Sequence, residues 1–192
     1  MPRQKGYSED QVIAKAVNTF WENGYAATSV RRLEDEMGIN QFSIYSSLGN
    51  KKGVFIKALK QYHHQVKSIF LGDLIQSKGQ IEDIRKFFIS FVESVKSGKT
   101  PNGCLMANTA MDVGSRDKQV KVQLQLFFDM LKNVFVEVLE KAKRKNEITS
   151  TADTERYANY LVGCTEGLAV TAKVLDQDKL DDFINTTISA LK

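Results

Sequence analysis

Apolar side chains return every third or fourth position along most of this chain, the spacing that lines one face of an α-helix. Val12, Ile13, Ala16, Val17, Phe20 and Trp21 form the first such stripe and predict a helix from Ser8 to Asn23. Ser8 stands where an N-cap belongs, Glu9 and Asp10 put negative charge in the first turn, and Gly24 stands at the C-terminal glycine position. The stretch "ATSVRRLEDEMG" predicts a short second helix, capped by Thr28 or Ser29, with Val30, Leu33 and Met37 inward and Gly38 as its stop. Asn40 is placed to cap a third helix of about two turns whose inner face is Ile39, Ile44 and Leu48. Gly49 and Asn50 interrupt the pattern. A fourth helix is expected from Lys51 through Val54, Phe55, Ala58, Leu59, Tyr62 and Val66 towards Leu74.

Five further segments follow. Ile81–Ser97 repeats Ile84, Phe87, Phe88, Phe91 and Val95 at helical spacing, and "SGKTPNG" reads as a loop. Cys104–Val113 predicts a short apolar helix. Asp117–Lys145 predicts a long one, with Val120, Leu124, Phe127, Leu131, Val134 and Val138 on one face and a basic C-terminal end that suits the helix dipole. Segments over about 153–175 and 179–191 complete the chain. No run alternates in the two-residue period of a strand for long enough to matter, and neither an internal repeat nor a low-complexity tract is evident. The fold class expected is all-α with about nine helices. The boundary between its two parts should run through the fourth helix and so be rigid.

Two short helices joined by a turn at Gly38, both packed on a longer first helix, have the layout of a helix-turn-helix. In that layout the second short helix reads DNA. Its outward face would carry Gln41, Phe42, Ser43, Tyr45, Ser46 and Ser47, mostly small or amide-bearing groups that suit base edges and phosphates. Thr28 and Ser29 at one helix N-terminus, and Lys51 and Lys52 at another, offer free N–H groups, hydroxyls and positive charge to a phosphate. Arg31 and Arg32 can reach DNA or pair with Glu34, Asp35 and Glu36. The net charge of +4 is modest, and most of it lies in residues 1–60, which hold 9 Lys and Arg against 6 Asp and Glu. That distribution is compatible with an anionic partner at this end.

Other chemistry is sparse. The two cysteines, Cys104 and Cys164, are far apart. There is no Cys-x-x-Cys, no Ser-His-Asp set and no phosphate loop, so no catalytic residue, cofactor or metal is expected and the chain does not read as an enzyme. His63 and His64 are adjacent, diverge by about 100° on a helix and read as surface residues. Cys104 starts a predicted short helix, where the dipole favours a thiolate and makes redox or electrophile sensing the sharp reading, against the small buried residue of the bland one. Cys164 lies in the small-residue stretch "VGCTEGLA", suited to close helix packing. No run approaches the ~18 apolar residues of a membrane span, and the first ten residues have no apolar segment of a secretory signal. A cytoplasmic protein with reduced thiols is expected.

Ile13, Ala16, Phe20, Gly24, Tyr25, Thr28, Ser29 and Val30, then Gly38, Ile39, Ile44, Tyr45 and Leu48, then Lys51, Val54 and Phe55, together resemble the N-terminal pattern of the TetR family of bacterial transcriptional regulators. Leu48 stands for the family's usual Phe, Glu34 and Met37 for alanines, and Phe42 for a frequent glycine. Pro101–Gly114 and Gly163–Val170 are similar to one branch of that family. The resemblance implies a helix-turn-helix DNA-binding domain over residues 1–52 and an effector-binding and dimerisation domain over 53–192. It implies a homodimer on a palindromic double-stranded operator, and a repressor released by a small molecule. It assigns Thr28, Tyr45 and Lys51 to the DNA backbone and Gln41, Phe42 and Ser46 to base readout, with Ser29, Arg32, Asn40 and Ser43 beside them. Phe87, Phe91, Cys104, Met106, Thr109, Phe127 and Met130 are the candidates for the effector pocket. Tyr160, Gly163, Cys164, Gly167 and Thr171 are those for the dimer interface. Two alternatives stand beside this reading: a regulator that senses electrophiles or redox state through Cys104, and a helical protein-binding adaptor.

Overall fold

The computed structural model describes residues 8–114 and 116–191; the first seven residues, on which part of the secretory-signal reading rests, lie outside these. Among the described residues there is no strand, and the chain forms ten α-helices and two π-helical turns, one helix more than the spacing predicts. The helices are α1 (Glu9–Ala27), α2 (Val30–Met37), α3 (Gln41–Leu48), α4 (Lys51–Gln65), α5 (Gly72–Gln76), α6 (Ile81–Lys96), α7 (Leu105–Thr109), α8 (Lys118–Arg144), α9 (Thr154–Thr171) and α10 (Gln177–Ser189). None is long and apolar enough to cross a membrane.

The chain divides into two compact units. The first runs to Gln65 and recruits a distant piece, Leu105–Leu124; the second holds Val66–Cys104 and the chain from Gln125 on. In the first unit α1 lies against α4, α2 and α7, and α3 lies against α2 and α4. Its core is the predicted stripes: Val12, Ile13, Ala16, Val17 and Phe20 from α1, Leu33 and Met37 from α2, Ile44 and Leu48 from α3, and Val54, Phe55, Ala58, Leu59 and Tyr62 from α4 are all buried. Phe20, Phe55 and Tyr25 form an aromatic knot, with Phe55 centred 4.7 Å from each of the other two rings. In the second unit α6, α9 and α10 pack together, and Ile84, Phe88, Leu131, Phe135, Leu139, Leu161, Leu168 and Ile184 sit in one apolar cluster.

Several expected boundaries move. Ser8 occupies the N-cap position of α1 but its hydroxyl makes no capping bond. Of the two candidate caps for α2, Ser29 is the one used: its hydroxyl accepts the Arg32 N–H at 3.1 Å. Ile39 is only half-buried, because it precedes the cap of α3 rather than lying on that helix. The fourth helix does not reach Leu74. It gives way to a π-helical turn over Val66–Phe70 and then to α5, and the change of pitch falls where the first unit ends. The predicted Cys104–Val113 helix is the five-residue α7 followed by a second π-helical turn, Ala110–Gly114.

Candidate nucleic-acid interface

Helix α3 is short, so its presentation depends on its ends. The Asn40 side chain accepts the Ser43 N–H at 2.8 Å, and the Glu34 carboxylate of α2 accepts the Gln41 N–H. Two of the free amides at the start of α3 are thus satisfied from outside the helix. Glu34 thereby stitches the two short helices across the turn at Gly38, whose N–H bonds back to the Glu34 carbonyl at 2.9 Å. Inward, Ile44 is fully buried and Leu48 nearly so. Outward, Gln41, Tyr45 and Ser46 are exposed, and Phe42 is 80% exposed, an unusual state for a phenylalanine. Ser43 and Ser47 lie at the flank, half-buried, so the fully outward set is smaller than the sequence suggests.

The flanking groups sort differently from expectation. Thr28 is 0% exposed and its hydroxyl donates to the Gly24 carbonyl at 2.6 Å. In this conformation it holds the turn between α1 and α2 and cannot reach a phosphate. Ser29, Arg31, Arg32 and Asn40 are exposed, and neither arginine makes an ion pair among the described residues, so the proposed pairing with Glu34, Asp35 and Glu36 does not occur. Lys51 leans back over the Tyr25 ring, 4.4 Å from its centre, and donates to the Ala26 carbonyl at 3.4 Å. Burial pushes its pKa below the usual lysine value, and the nearby Asp112 carboxylate acts in the opposite sense. Lys52 is tied to Asp117 at 2.6 Å; that hydrogen bond is the main reason the Asp117 carboxyl lies below its ordinary value.

Three residues at this surface escaped sequence reasoning. In sequence Glu34 stands only for a family alanine or an arginine partner, Asp117 only at the start of a long helix, and Asp112 in no pattern. Asp112 lies 87 residues from Tyr25, whose N–H it accepts at 3.0 Å. No local pattern carries that information.

The effector candidates do not form one set. Met106 and Thr109 belong to the first unit; Phe87, Phe91, Cys104, Phe127 and Met130 belong to the second. Cys104, Met106, Thr109 and Phe127 are buried, while Phe87, Phe91 and Met130 are half-buried. Phe87 stacks on Phe91 with centroids 6.5 Å apart and also lines a cleft with Phe70, Leu74, Asp73, Asp83 and Lys86. Cys104 precedes α7 rather than starting it. Its neighbour is the buried carboxylate of Glu166, whose two oxygens have no hydrogen-bond partner of good geometry. Burial raises the Glu166 pKa to about 7, the thiol of Cys104 pulling the other way. An acid facing the thiol, at a helix of only five residues, is not the dipole activation expected from the sequence.

Of the interface candidates, Tyr160 and Gly163 are exposed and Gly167 and Thr171 half-exposed on α9. Cys164 is buried in its own unit, with the Thr187 hydroxyl 3.7 Å from its sulfur, so it packs α9 on α10 and has no exposed face. His64 is exposed and His63 half-buried at the end of α4. Among the described residues no three His, Cys, Asp or Glu side chains gather as a metal site would require.

Known proteins place this architecture. Residues 12–58 match the family described as bacterial regulatory proteins, tetR family, and residues 81–188 match the tetracyclin repressor-like C-terminal domain. The chain is 27% identical over its full length to all of YezE, an HTH-type transcriptional regulator of Bacillus subtilis. It is 24% identical, over 97% of this chain and 90% of the relative, to the HTH-type transcriptional repressor ComR of Escherichia coli. Among solved structures, a cysteine mutant of the TetR-family regulator CifR in complex with a 26-base-pair operator DNA superimposes with a TM-score of 0.85, at 22% identity, covering 99% of this chain and 100% of that one. The reduced form of NemR from Escherichia coli superimposes with a TM-score of 0.78, at 15% identity, covering 95% and 94%. With a helix-turn-helix whose second helix turns polar and aromatic groups outward, and with both of its parts matched, the chain belongs to the TetR family of bacterial transcriptional regulators.

Proposed function

We propose that this regulator binds a palindromic double-stranded DNA operator as a homodimer, in the cytoplasm, and represses transcription until a small molecule releases it. The carrying observation is the outward face of α3: Gln41, Phe42, Tyr45 and Ser46 are exposed on a helix pinned from behind by Ile44 and Leu48 and from its N-terminus by Asn40 and Glu34. Residues 1–52 are the part that docks, and 53–192 the part that binds effector and pairs. Gln41 suits adenine and Phe42 a thymine methyl group. Ser46 and Ser43 are further base-side candidates. Ser29, Arg32, Asn40 and Tyr45 face the phosphates; Lys51, at the start of α4, would reach one by leaving the Ala26 carbonyl to which it now donates, and Thr28 supports them from inside. CifR, the neighbour solved on operator DNA, lends the docking mode.

For a dimer, two such helices must stand about 34–36 Å apart to enter successive major grooves. An effector that takes a 99:1 bound population to 1:99 must distinguish the two states by about 5.5 kcal/mol. Phe87, Phe91, Phe127 and Met130 remain its candidate contacts, and the exposed Tyr160 and Gly163 with the half-exposed Gly167 and Thr171 those of the partner subunit.

Fluorescence anisotropy on DNA from upstream of the protein's own gene, at two salt concentrations, tests the reading. Tight binding that weakens with salt and in Tyr45→Ala is expected. Absence of binding to this and to random DNA at low salt would favour the adaptor alternative. The thiol alternative is tested in the same assay with N-ethylmaleimide: release of wild-type protein but not of Cys104→Ser would favour it, and equal release would end it.

A further inference from the structure

Asp112 lies in the π-helical turn after α7, far in sequence from the reading head, yet in the same compact unit. Gly24 breaks α1 at φ 73° and ψ 169°, a conformation open to glycine and strained for other residues. Past that break one oxygen of Asp112 accepts two amides in succession, Tyr25 N–H at 3.0 Å and Ala26 N–H at 3.4 Å. The same oxygen would lie 3.3 Å from a Cβ placed on Gly24, so the carboxylate fits closely against the turn. Ala26 is held from both sides: its N–H by Asp112, its carbonyl by the Lys51 ammonium. The Tyr25 ring carries the Lys51 ammonium 4.4 Å from its centre and has the Phe55 ring centred 4.7 Å away. Two residues further on, Thr28 bonds back to Gly24 and Ser29 caps α2.

We infer that Asp112 is a positioning residue for DNA recognition, its carboxylate fixing the Tyr25–Ala26 turn that sets where α2 begins and where the Lys51 ammonium sits. The inference rests on the DNA-binding reading above. The start of α2 and the start of α4 are the two phosphate-facing ends that give α3 its register on the duplex, and phosphate contacts supply register rather than sequence information. Releasing the turn leaves the charges present but misplaced. Binding to any DNA, which needs only the charges, is then little changed, and discrimination of the operator is lost.

Anisotropy with Asp112→Asn and Asp112→Ala, on DNA upstream of the protein's own gene and on random-sequence duplex, tests this. Loss of a charge-assisted hydrogen bond is expected to weaken operator binding about tenfold in Asp112→Ala, less in Asp112→Asn, which keeps one acceptor. Random-duplex affinity should stay within about threefold of wild type, because the phosphate term survives. Hydrogen exchange gives a readout independent of DNA: the Tyr25 and Ala26 amides should exchange faster in both variants, with the α1 amides before Gly24 unchanged. An operator-to-random ratio equal to wild type in Asp112→Ala, or unchanged exchange at Tyr25 and Ala26, overturns the inference alone. Wild-type protein that does not distinguish the two duplexes overturns the DNA reading, and this inference with it.

Discussion

Glu166 holds both carboxylate oxygens away from water beside the Cys104 thiol, and burial lifts its pKa to about 7. A raised acid binds its proton more tightly folded than unfolded, so its contribution to stability falls as pH rises from its ordinary value towards 7 and stays low above. Replacing the carboxylate by a neutral amide removes that penalty. Glu166→Gln should match wild type in urea unfolding at pH 5 and exceed it at pH 8 by on the order of 3 kcal/mol; equal midpoints at pH 8 would refute the assignment. Nothing in "GCTEGLA" distinguishes this glutamate from a solvated one, because the burial comes from a different part of the chain. Ile44 and Tyr45 are the opposite case: helical spacing alone puts one in the core and the other outside, and the structure agrees. At Thr28 and Lys51 residue type was legible but direction was not, since each turns towards Gly24 or Ala26 through a fold of the backbone.

Helices α2 and α3 each have 8 residues, too few to be stable alone, so their caps matter more than their propensities. Asn40→Ala should cost about 1 kcal/mol in thermal or urea unfolding. Operator affinity should fall with it while α9 and α10 keep their hydrogen-exchange protection. An unchanged midpoint would mean that Glu34 alone suffices to hold α3. The cap at Asn40 was legible, and that of α2 was narrowed to Thr28 or Ser29, because an N-cap is a local event of four residues. The π-helical turns at Val66–Phe70 and Ala110–Gly114 were not. Apolar spacing continues through both, and the one-residue change of pitch has no composition of its own.

For the whole molecule, four exposed apolar side chains of the second unit lie on its last elements, Tyr160 and Val170 on α9, Val174 just after it and Phe183 on α10, while Ile69, Ile89 and Leu126 are exposed elsewhere on the same unit. A proposed homodimer would cover the first four. Sedimentation should give a dimer for wild type and a shift towards monomer for Phe183→Asp at low micromolar concentration; an unshifted dimer would place the interface elsewhere. DNA binding should weaken steeply with salt, the log–log slope reporting the number of phosphates neutralised. Lys52 sits in an ion pair with Asp117. Freeing it by Asp117→Asn should therefore steepen the slope by at most about one unit, and a slope unchanged within error would exclude Lys52 from the phosphate contacts.

The sequence by itself determined the all-α class, the stripes that become the core, the short helix pair with its cap at Asn40, and the family. All of these depend on spacings of a few residues, which the helical period turns directly into position. Tertiary structure decided the rest. It brought Leu105–Leu124 to the reading head, set Asp112 on the Tyr25 and Ala26 amides, buried Glu166 beside Cys104 and split the effector candidates between two units. Those contacts join residues tens of positions apart, and a one-dimensional pattern has no term for which distant side chain will meet a given amide.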